Sequence, residues 1–458
     1  MRPFNGFRFG VRRSHRKEDA TDHGGEWNAE AVAGLMHENI GWVRCADLEE
    51  HHEPSLKEIT VDAGPVIEML GRPLRLAVIG GGPGSFIGAM HRTAARLDGR
   101  YDLVAGVVSS DPERSRRAAA GMGIDPSRAY ADAIGMLGAE SEREDGAEVV
   151  AIMTPNDSHH RYAVAAMDRG FDVICDKPMT NTLDEAMDIV RKVDATGLVF
   201  CLMHNYTGYP MVRQARALVE DGQVGEIRLV QVEYVQGGKA DESDPDKAGG
   251  LPWRYDPVRG GPSLVMGDIG THAHNLVRFV SGLEVAEVAA DIGHVIPQRP
   301  VDDYGGAMLR FDNGARGTFW VTQTAAGVEN GLRIRVSGTK GSLEWHQERP
   351  TRLIFKLLDG PVRVYTPNGP GALPASIRAC RIVAGHPEGF HEAFANLYSD
   401  AAEAIAARRS GRAPDPLALQ FPNERDGAIG VKFVEAAVAS SDANGAWHDA
   451  TLSFEEGS

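Results

Sequence analysis

The run Gly80-Gly81-Gly82-Pro83-Gly84-Ser85-Phe86-Ile87-Gly88 constrains this chain more than any other feature, because of what flanks it. Before it, Leu74 to Ile79 is a short apolar segment. After it, Phe86 to Leu97 carries apolar residues at helical spacing, and Leu103 to Val108 is a second apolar run. Strand, glycine turn, helix, strand is a βαβ unit, and two strands joined in this way lie parallel with the connecting helix covering the sheet. The alternation continues. Ser110-Asp111-Pro112-Glu113 reads as a helix start, with Ser110 as the cap, a proline in the first turn and a glutamate three residues after the cap. Val149 to Met153 is a buried-type strand, Ser158 to Arg169 a helix, Asp172 to Cys175 a strand and Leu183 to Thr196 a helix.

Beyond Gly225 the texture changes to longer strands of alternating polarity, Ile227 to Val235, Tyr304 to Phe311, Ala315 to Thr324 and Leu332 to Ser337, interrupted by a helix from Gly267 to Val280. Strands in series after an alternating half predict a second, α+β domain with a large, mainly antiparallel open sheet. At 458 residues the chain also exceeds what one core usually serves. We therefore expect an α/β fold with a doubly wound parallel sheet over residues 71–203 and the α+β domain over 204–458, its last helices packing back on the first domain. Residues 1–70 are polar, rich in His and Glu, and read as an extension with one amphipathic helix around Ala29 to Met36.

Acidic residues outnumber basic ones, 64 to 48, for a formal charge of -16, which argues against a nucleic-acid partner. Cys45, Cys175, Cys201 and Cys380 are scattered without a Cys-x-x-Cys pair, so neither a disulfide framework nor a structural zinc is expected and a reducing cytoplasm is the simpler setting. No apolar run approaches the roughly 20 residues of a membrane span. The basic stretch Arg12 to Lys17 is followed by polar residues, Glu18 to Glu26, where an export signal needs an apolar region.

A glycine turn between strand and helix lets backbone approach a pyrophosphate, whose charge is stabilised by amide N–H groups and the positive end of the helix. Gly80, Gly82, Pro83, Gly84, Ser85, Phe86 and Ile87 are accordingly candidates for holding NAD or NADP. Counted from Gly80 and Gly82, the third glycine of the usual fingerprint falls due at Ser85 but comes at Gly88, which reads as a loop about three residues longer than normal. At the end of the second strand, where an acidic residue would bind the ribose hydroxyls of NAD, stands Ser109, with Ser110 and Arg114 nearby. A 2′-phosphate would not be repelled there, yet a helix cap and solvated arginines explain the same residues, so the choice between NAD and NADP stays open.

Three further clusters follow strands or open helices: Thr154-Pro155-Asn156-Asp157-Ser158-His159, Asp176-Lys177-Pro178, and the stretch from Gly260-Gly261-Pro262 through Gly267-Asp268-Ile269-Gly270-Thr271-His272. Together with Gly88-Ala89-Met90-His91, Val224-Gly225-Glu226-Ile227 and Val336-Ser337-Gly338-Thr339-Lys340-Gly341-Ser342, they resemble the Gfo/Idh/MocA family, the glucose–fructose oxidoreductase and inositol dehydrogenase group, from about Leu74 to Trp447. The resemblance implies a Rossmann domain followed by a sheet-rich domain whose open face supplies the substrate pocket and often an oligomer interface, hence a homo-oligomer, dimer or tetramer. It implies cofactor contacts from Thr154, Pro155, Asn156, His159, Asp176 and Lys177, with Asp176 standing where the family motif has Glu. It further implies a catalytic set of Lys177, Asp268 and His272, and a substrate wall that adds Asn205, Tyr206, Trp253 and Arg254. Asn275 stands where the family often has Asp.

The residue types agree with that chemistry. Taking a hydride from an alcohol carbon requires a base within reach of the hydroxyl proton. Asp268 and His272, four apart on the expected helix, share one face. A neutral imidazole can take the proton and a lysine ammonium can stabilise the developing alkoxide, which makes His272 the base, Lys177 its electrostatic partner and Asp268 the group that orients substrate hydroxyls. His272 and His274, two apart on a helix, point apart, and no metal is expected. The substrate expected is a sugar, polyol or related glycoside. Two alternatives remain: a hydrolase or lyase that oxidises its substrate transiently with retained NAD, and a dinucleotide-binding regulator, which would have no need of Lys177, Asp268 and His272.

Overall fold

Strands that are apolar on both faces require cover on both faces, and the first half of the chain supplies it. β1 (Leu74–Gly80), β2 (Tyr101–Val107), β3 (Val149–Met153), β4 (Asp172–Cys175) and β5 (Phe200–Leu202) form a parallel sheet in the order β2-β1-β3-β4-β5. β3 and β4 are buried along their whole length. The chain order reverses between β1 and β3, and the crevice beyond the carboxyl ends of strands at such a point is where open α/β sheets bind their ligands.

The structure, a computed structural model, describes residues 64–242 and 251–454. Most of the expected extension, with the basic stretch, the helix at Ala29 to Met36 and Cys45, lies outside the described residues. The helix Gly64–Leu70 buries Val66 and packs on the C-terminal helix Phe390–Ser410.

The helices Phe86–Leu97 and Leu183–Thr196 occupy the expected residues. The second helix, Pro112–Gly121, is capped differently from the expectation. Pro112 takes the first helical position, so the residue just before it is the cap: Asp111 Oδ1 accepts the Arg114 amide at 2.7 Å, and Ser110 caps nothing.

The second half builds one sheet of nine strands in the order β13-β12-β11-β10-β6-β9-β8-β7-β14. These are β6 (Ile227–Val235), β7 (Val285–Gly293), β8 (Tyr304–Phe311), β9 (Arg316–Thr322), β10 (Gly331–Gly338), β11 (Gly341–His346), β12 (Leu353–Leu357), β13 (Val362–Tyr365) and β14 (His448–Asp449). Alternation decides its faces. Val230, Val232, Phe319, Val321, Ile334 and Val336 point inward, under the helices Pro210–Glu220 and Thr271–Ser281, while Leu229, Met308 and Trp320 lie on the open side. All pairings in this sheet are antiparallel except β6 with β9. That exception brings the ends of β6 and β9 to the same edge, and this edge faces the first sheet's loops.

The C-terminal helices lie across both halves. Phe390–Ser410 packs on Phe86–Leu97, and Glu424–Asp442 packs on both Leu183–Thr196 and β7. A nearly unexposed ion pair ties Phe390–Ser410 to Pro210–Glu220: Arg213 donates to Asp400 Oδ2 at 2.6 Å, and Arg378 donates to Asp400 Oδ1 at 3.1 Å. The removal of one partner from a buried pair strands the other charge in a low dielectric. Asp400→Ala is therefore expected to lower the unfolding free energy by about 3 kcal/mol in a denaturant titration, whereas a change below about 1 kcal/mol would show that the Arg213 guanidinium finds other partners.

Candidate active site

The loop between β1 and the helix Phe86–Leu97 is set by backbone proximity. Gly80, Gly81 and Gly84 adopt positive φ of 83°, 67° and 86°, which side chains rarely tolerate. Ser85 caps the helix through its Oγ, which accepts the Gly88 amide at 3.1 Å. An added Cβ on Gly88 would overlap the backbone of Gly81. Close helix-to-turn packing, the task of the third glycine, thus falls to Gly88, and residues 82–85 form the added loop. This glycine cradle, followed by a helix of 12 residues with free space around Gly84, fits a pyrophosphate-bearing group. Ser109 Oγ accepts the Asp111 amide at 3.1 Å, while Ser110 and Arg114 are exposed.

The remaining candidates near the cofactor loops divide. Thr154 Oγ1 and Pro155 O both accept from Ser158 Oγ, and Asn156 Nδ2 donates to Gly260 O at 3.0 Å, tying this loop to the second half. His159 does not face the crevice. It is fully buried, and its ring nitrogens sit 2.9 Å from the carbonyls of Pro178 and Thr154, so it fastens the Thr154 loop to the Lys177 loop instead of presenting a nitrogen to a ligand.

A cleft of about 510 Å³ opens where the two halves meet. Asp176 and Lys177 enter it after β4, Asn205 and Tyr206 after β5, Phe86 and Ile87 from the glycine loop, and Asp268 and His272 from the second half. Asp268 does not lie on an ordinary α-helix, as the four-residue spacing led us to expect. It sits in a π-type turn, Met266–Gly270, and the α-helix starts at Thr271. Asp302 holds the start of this segment by accepting the amides of Leu264 and Val265. Wide turns of this kind recur at functional sites.

Lys177 Nζ donates to Asp268 O at 2.5 Å and to Asp268 Oδ1 at 3.0 Å. Gln323 Nε2, just past β9, donates to Asp268 Oδ2 at 2.9 Å, and Lys239 Nζ lies 3.9 Å from the same oxygen. Burial alone would raise the Asp268 carboxyl, but the positive charges of Lys177, Lys239 and Arg254 outweigh it and hold the group well below the usual carboxylate range. His272 is driven the other way from protonation: burial first, then Lys177 and His204, keep its imidazole neutral. Its ring is walled edge-on by Tyr206 at 4.9 Å and His204 at 5.2 Å.

Trp253 is not on the cleft wall; the Arg254 guanidinium, which does reach the cleft, stacks on its ring at 4.4 Å. Several wall residues escaped the sequence. Gln236 and Gln323 follow directly on β6 and β9, so a reading of strand ends would have flagged them. Phe390 and Phe394 come from the C-terminal helix and carry no local signal. Among the described residues no cluster fit for a metal ion occurs, no helix is long and apolar enough to cross a membrane, and Cys175, Cys201 and Cys380 are free thiols.

This constellation, a dinucleotide-type crevice opening onto a lysine, a carboxylate and a neutral histidine, defines an oxidoreductase acting with a nicotinamide cofactor, and comparison with known proteins gives its family. Residues 74–204 match the oxidoreductase family with NAD-binding Rossmann fold, and residues 212–344 the GFO/IDH/MocA C-terminal domain. The oxidoreductase YfiI of Bacillus subtilis is 32% identical over 382 residues, 83% of this chain and 97% of the relative. An oxidoreductase of Sinorhizobium meliloti has a crystal structure that is 46% identical, with a TM-score of 0.74 and coverage of 82% of this chain and 99% of that one. The inositol dehydrogenase homolog of Azotobacter vinelandii, crystallised with NADH and myo-inositol, is 35% identical, with a TM-score of 0.77 and coverage of 83% and 98%. The chain belongs to the Gfo/Idh/MocA family of oxidoreductases, and its first half is an NAD(P)-binding Rossmann domain.

Buried histidines give this molecule a defined acid response. Desolvation lowers His91 from about 6.5 to about 4 and His204 to about 3. Below pH 6.5 the unfolded chain therefore takes up protons that these folded rings refuse, so their contribution to stability, complete above that pH, is lost as the pH falls. Glu424, raised to about 7 by desolvation, opposes this trend, which makes single-site titration the right measurement. By NMR, the His91 and His204 rings are expected to stay neutral at pH 5; protonation near the ordinary value of about 6.5 would contradict their burial.

Proposed function

We propose that this protein transfers a hydride between a nicotinamide ring and a hydroxyl-bearing carbon of a sugar, polyol or glycoside, with Lys177, Asp268 and His272 as the residues that touch the substrate. The convergence of Lys177 Nζ, the Asp268 carboxylate and the His272 ring in one cleft beside the loops after β1 and β4 carries this reading. NAD or NADP, when bound, supplies the hydride acceptor or donor. The loop 80–87, Thr154, Pro155 and Asn156, and Asp176 would hold it, with Ser109, Ser110 and Arg114 nearest the adenosine ribose. Residues 71–203 then form the cofactor half and 204–458 the substrate half.

Each group has a chemical task. A neutral His272 offers a lone pair to the hydroxyl proton. Lys177 spends two of its three N–H donors on Asp268 and keeps one for the oxygen on which negative charge develops. Asp268 stays ionised, with lone pairs left for a second hydroxyl of the substrate. Asn205, Tyr206 and Arg254 add polar groups to an aromatic wall, a lining that suits a polyhydroxylated ligand. The myo-inositol bound by the Azotobacter vinelandii homolog supports the same class. Net oxidation or reduction is favoured over transient oxidation with retained cofactor, because the relatives are named as oxidoreductases and a dehydrogenase homolog. The apolar residues Leu229, Met308 and Trp320 on the open side of the large sheet support a dimer or tetramer, and the free thiols suit a cytoplasmic setting.

The deciding experiment scans sugars, inositols and glycosides with NAD and NADP in parallel while following nicotinamide absorbance. Steady formation of reduced cofactor is the expected result. Lys177→Met is expected to abolish turnover while the dissociation constant for the dinucleotide stays within about twofold; a variant that keeps most of its rate removes Lys177 from the mechanism. Because His272 is held neutral, the acid limb of kcat/KM is expected below pH 6.5, and a limb at or above neutrality would exclude this imidazole as the base.

A further inference from the structure

His204 packs against His272 without itself lining the cleft. It follows β5, and only 2% of it is exposed. Its backbone is clamped: the amide donates to Leu202 O at 2.8 Å, and the carbonyl accepts from the Thr207 amide and from Thr207 Oγ1. Its ring meets His272 edge to face, at an interplanar angle of 82°, with Nδ1 of one ring 3.4 Å from Nδ1 of the other. Tyr206 and Tyr234 close the other sides of the His272 ring.

Two neutral imidazoles that meet through Nδ1 on both sides can form a hydrogen bond only if one Nδ1 carries a proton and the other does not. Both rings are held neutral by burial and by surrounding positive charge, Lys177 for both and Arg278 for His204. The donor is decided by what faces the second nitrogen of His272. With Nδ1 turned to His204, Nε2 is the nitrogen left for the cleft, where the Lys177 ammonium favours a lone pair and opposes an N–H.

We propose that His204 is a positioning residue for the reaction: its Nδ1 accepts the Nδ1 proton of His272, which fixes the tautomer that presents a bare Nε2 to the substrate hydroxyl. The inference rests on His272 as the base. Without an acceptor at His204, the Nδ1–H tautomer of His272 loses its partner, and the ring redistributes toward the form with its proton on Nε2, which cannot take the hydroxyl proton.

The test uses full-length protein with cofactor and a turned-over polyol. His204→Phe keeps the aromatic volume but has no acceptor, and kcat for alcohol oxidation is expected to fall at least about tenfold, with KM and dinucleotide affinity within about twofold. His204→Gln, whose amide oxygen can accept from Nδ1, is expected to restore a large part of that loss, which a purely structural role would not produce. Nitrogen-15 shifts of histidine-labelled wild-type protein supply a readout that needs no variant, and the His272 proton is expected on Nδ1. A His204→Phe enzyme with more than half of the wild-type kcat, a His204→Gln enzyme no better than His204→Phe, or a His272 proton on Nε2 would overturn the proposal. His272→Gln separates the two levels: if it is inactive while His204→Phe is not, only the role of His204 falls, and if it stays active, the assignment of the base falls with it.

Discussion

The contact between Lys177 and Asp268 is the constraint on which the rest of the site depends. The ammonium arrives from a loop of the parallel sheet, and the carboxylate arrives from the second half, 91 residues further along the chain. A half-buried carboxylate is costly to desolvate unless cations and donors surround it. Here Lys177 and Gln323 bond to its two oxygens, and Lys239 and Arg254 add charge. Lys177, which helps keep Asp268 ionised, also adds to the burial that disfavours a proton on His272, so one arrangement sets an anion and a neutral imidazole side by side. The two groups keep different charge states because Asp268 lies among cations while burial dominates at His272.

The backbone around this contact is shaped to allow it. The π-type turn at Met266–Gly270 carries Asp268 into the cleft, and Gly267 and Gly270 lie within it. The parallel pairing of β6 with β9 places Gln236 and Gln323 at one edge, where the Gln323 amide bonds both Gln236 and Asp268. On the cofactor side, the glycine loop bulges between Gly82 and Ser85 yet still closes through the contact of Gly88 with Gly81. The C-terminal helix Phe390–Ser410 then seals the cleft with Phe390 and Phe394 while its other residues pack on Phe86–Leu97.

Much of this was legible locally. Strands such as Val149–Met153 and Ile227–Val235, and helices such as Leu183–Thr196, have the limits that apolar periodicity and caps indicate, because each is stabilised by a pattern written within its own length. Lys177, Asp268 and His272 stand out in the sequence because they sit inside long ordered motifs, and the fold brings them to one cleft. His159 misled, since a histidine at the start of a helix after a strand looks the same whether its ring faces a ligand or two carbonyls. Ser110 misled by one position, because two neighbouring residues can both serve as caps and only the placement of Pro112 decides between them.

What the sequence determined by itself was the set of elements, the alternating and then strand-rich organisation, and the chemical types available for the site, all of which depend on neighbours within a few residues. What only the tertiary structure decided was which of those groups meet: the ion pair across the two halves, the turn that re-aims Asp268, the aromatic cover from the C-terminal helix, and the contact of the His204 ring with His272. Each of these depends on distances between segments far apart in the chain, and no local pattern encodes a distance that only packing sets.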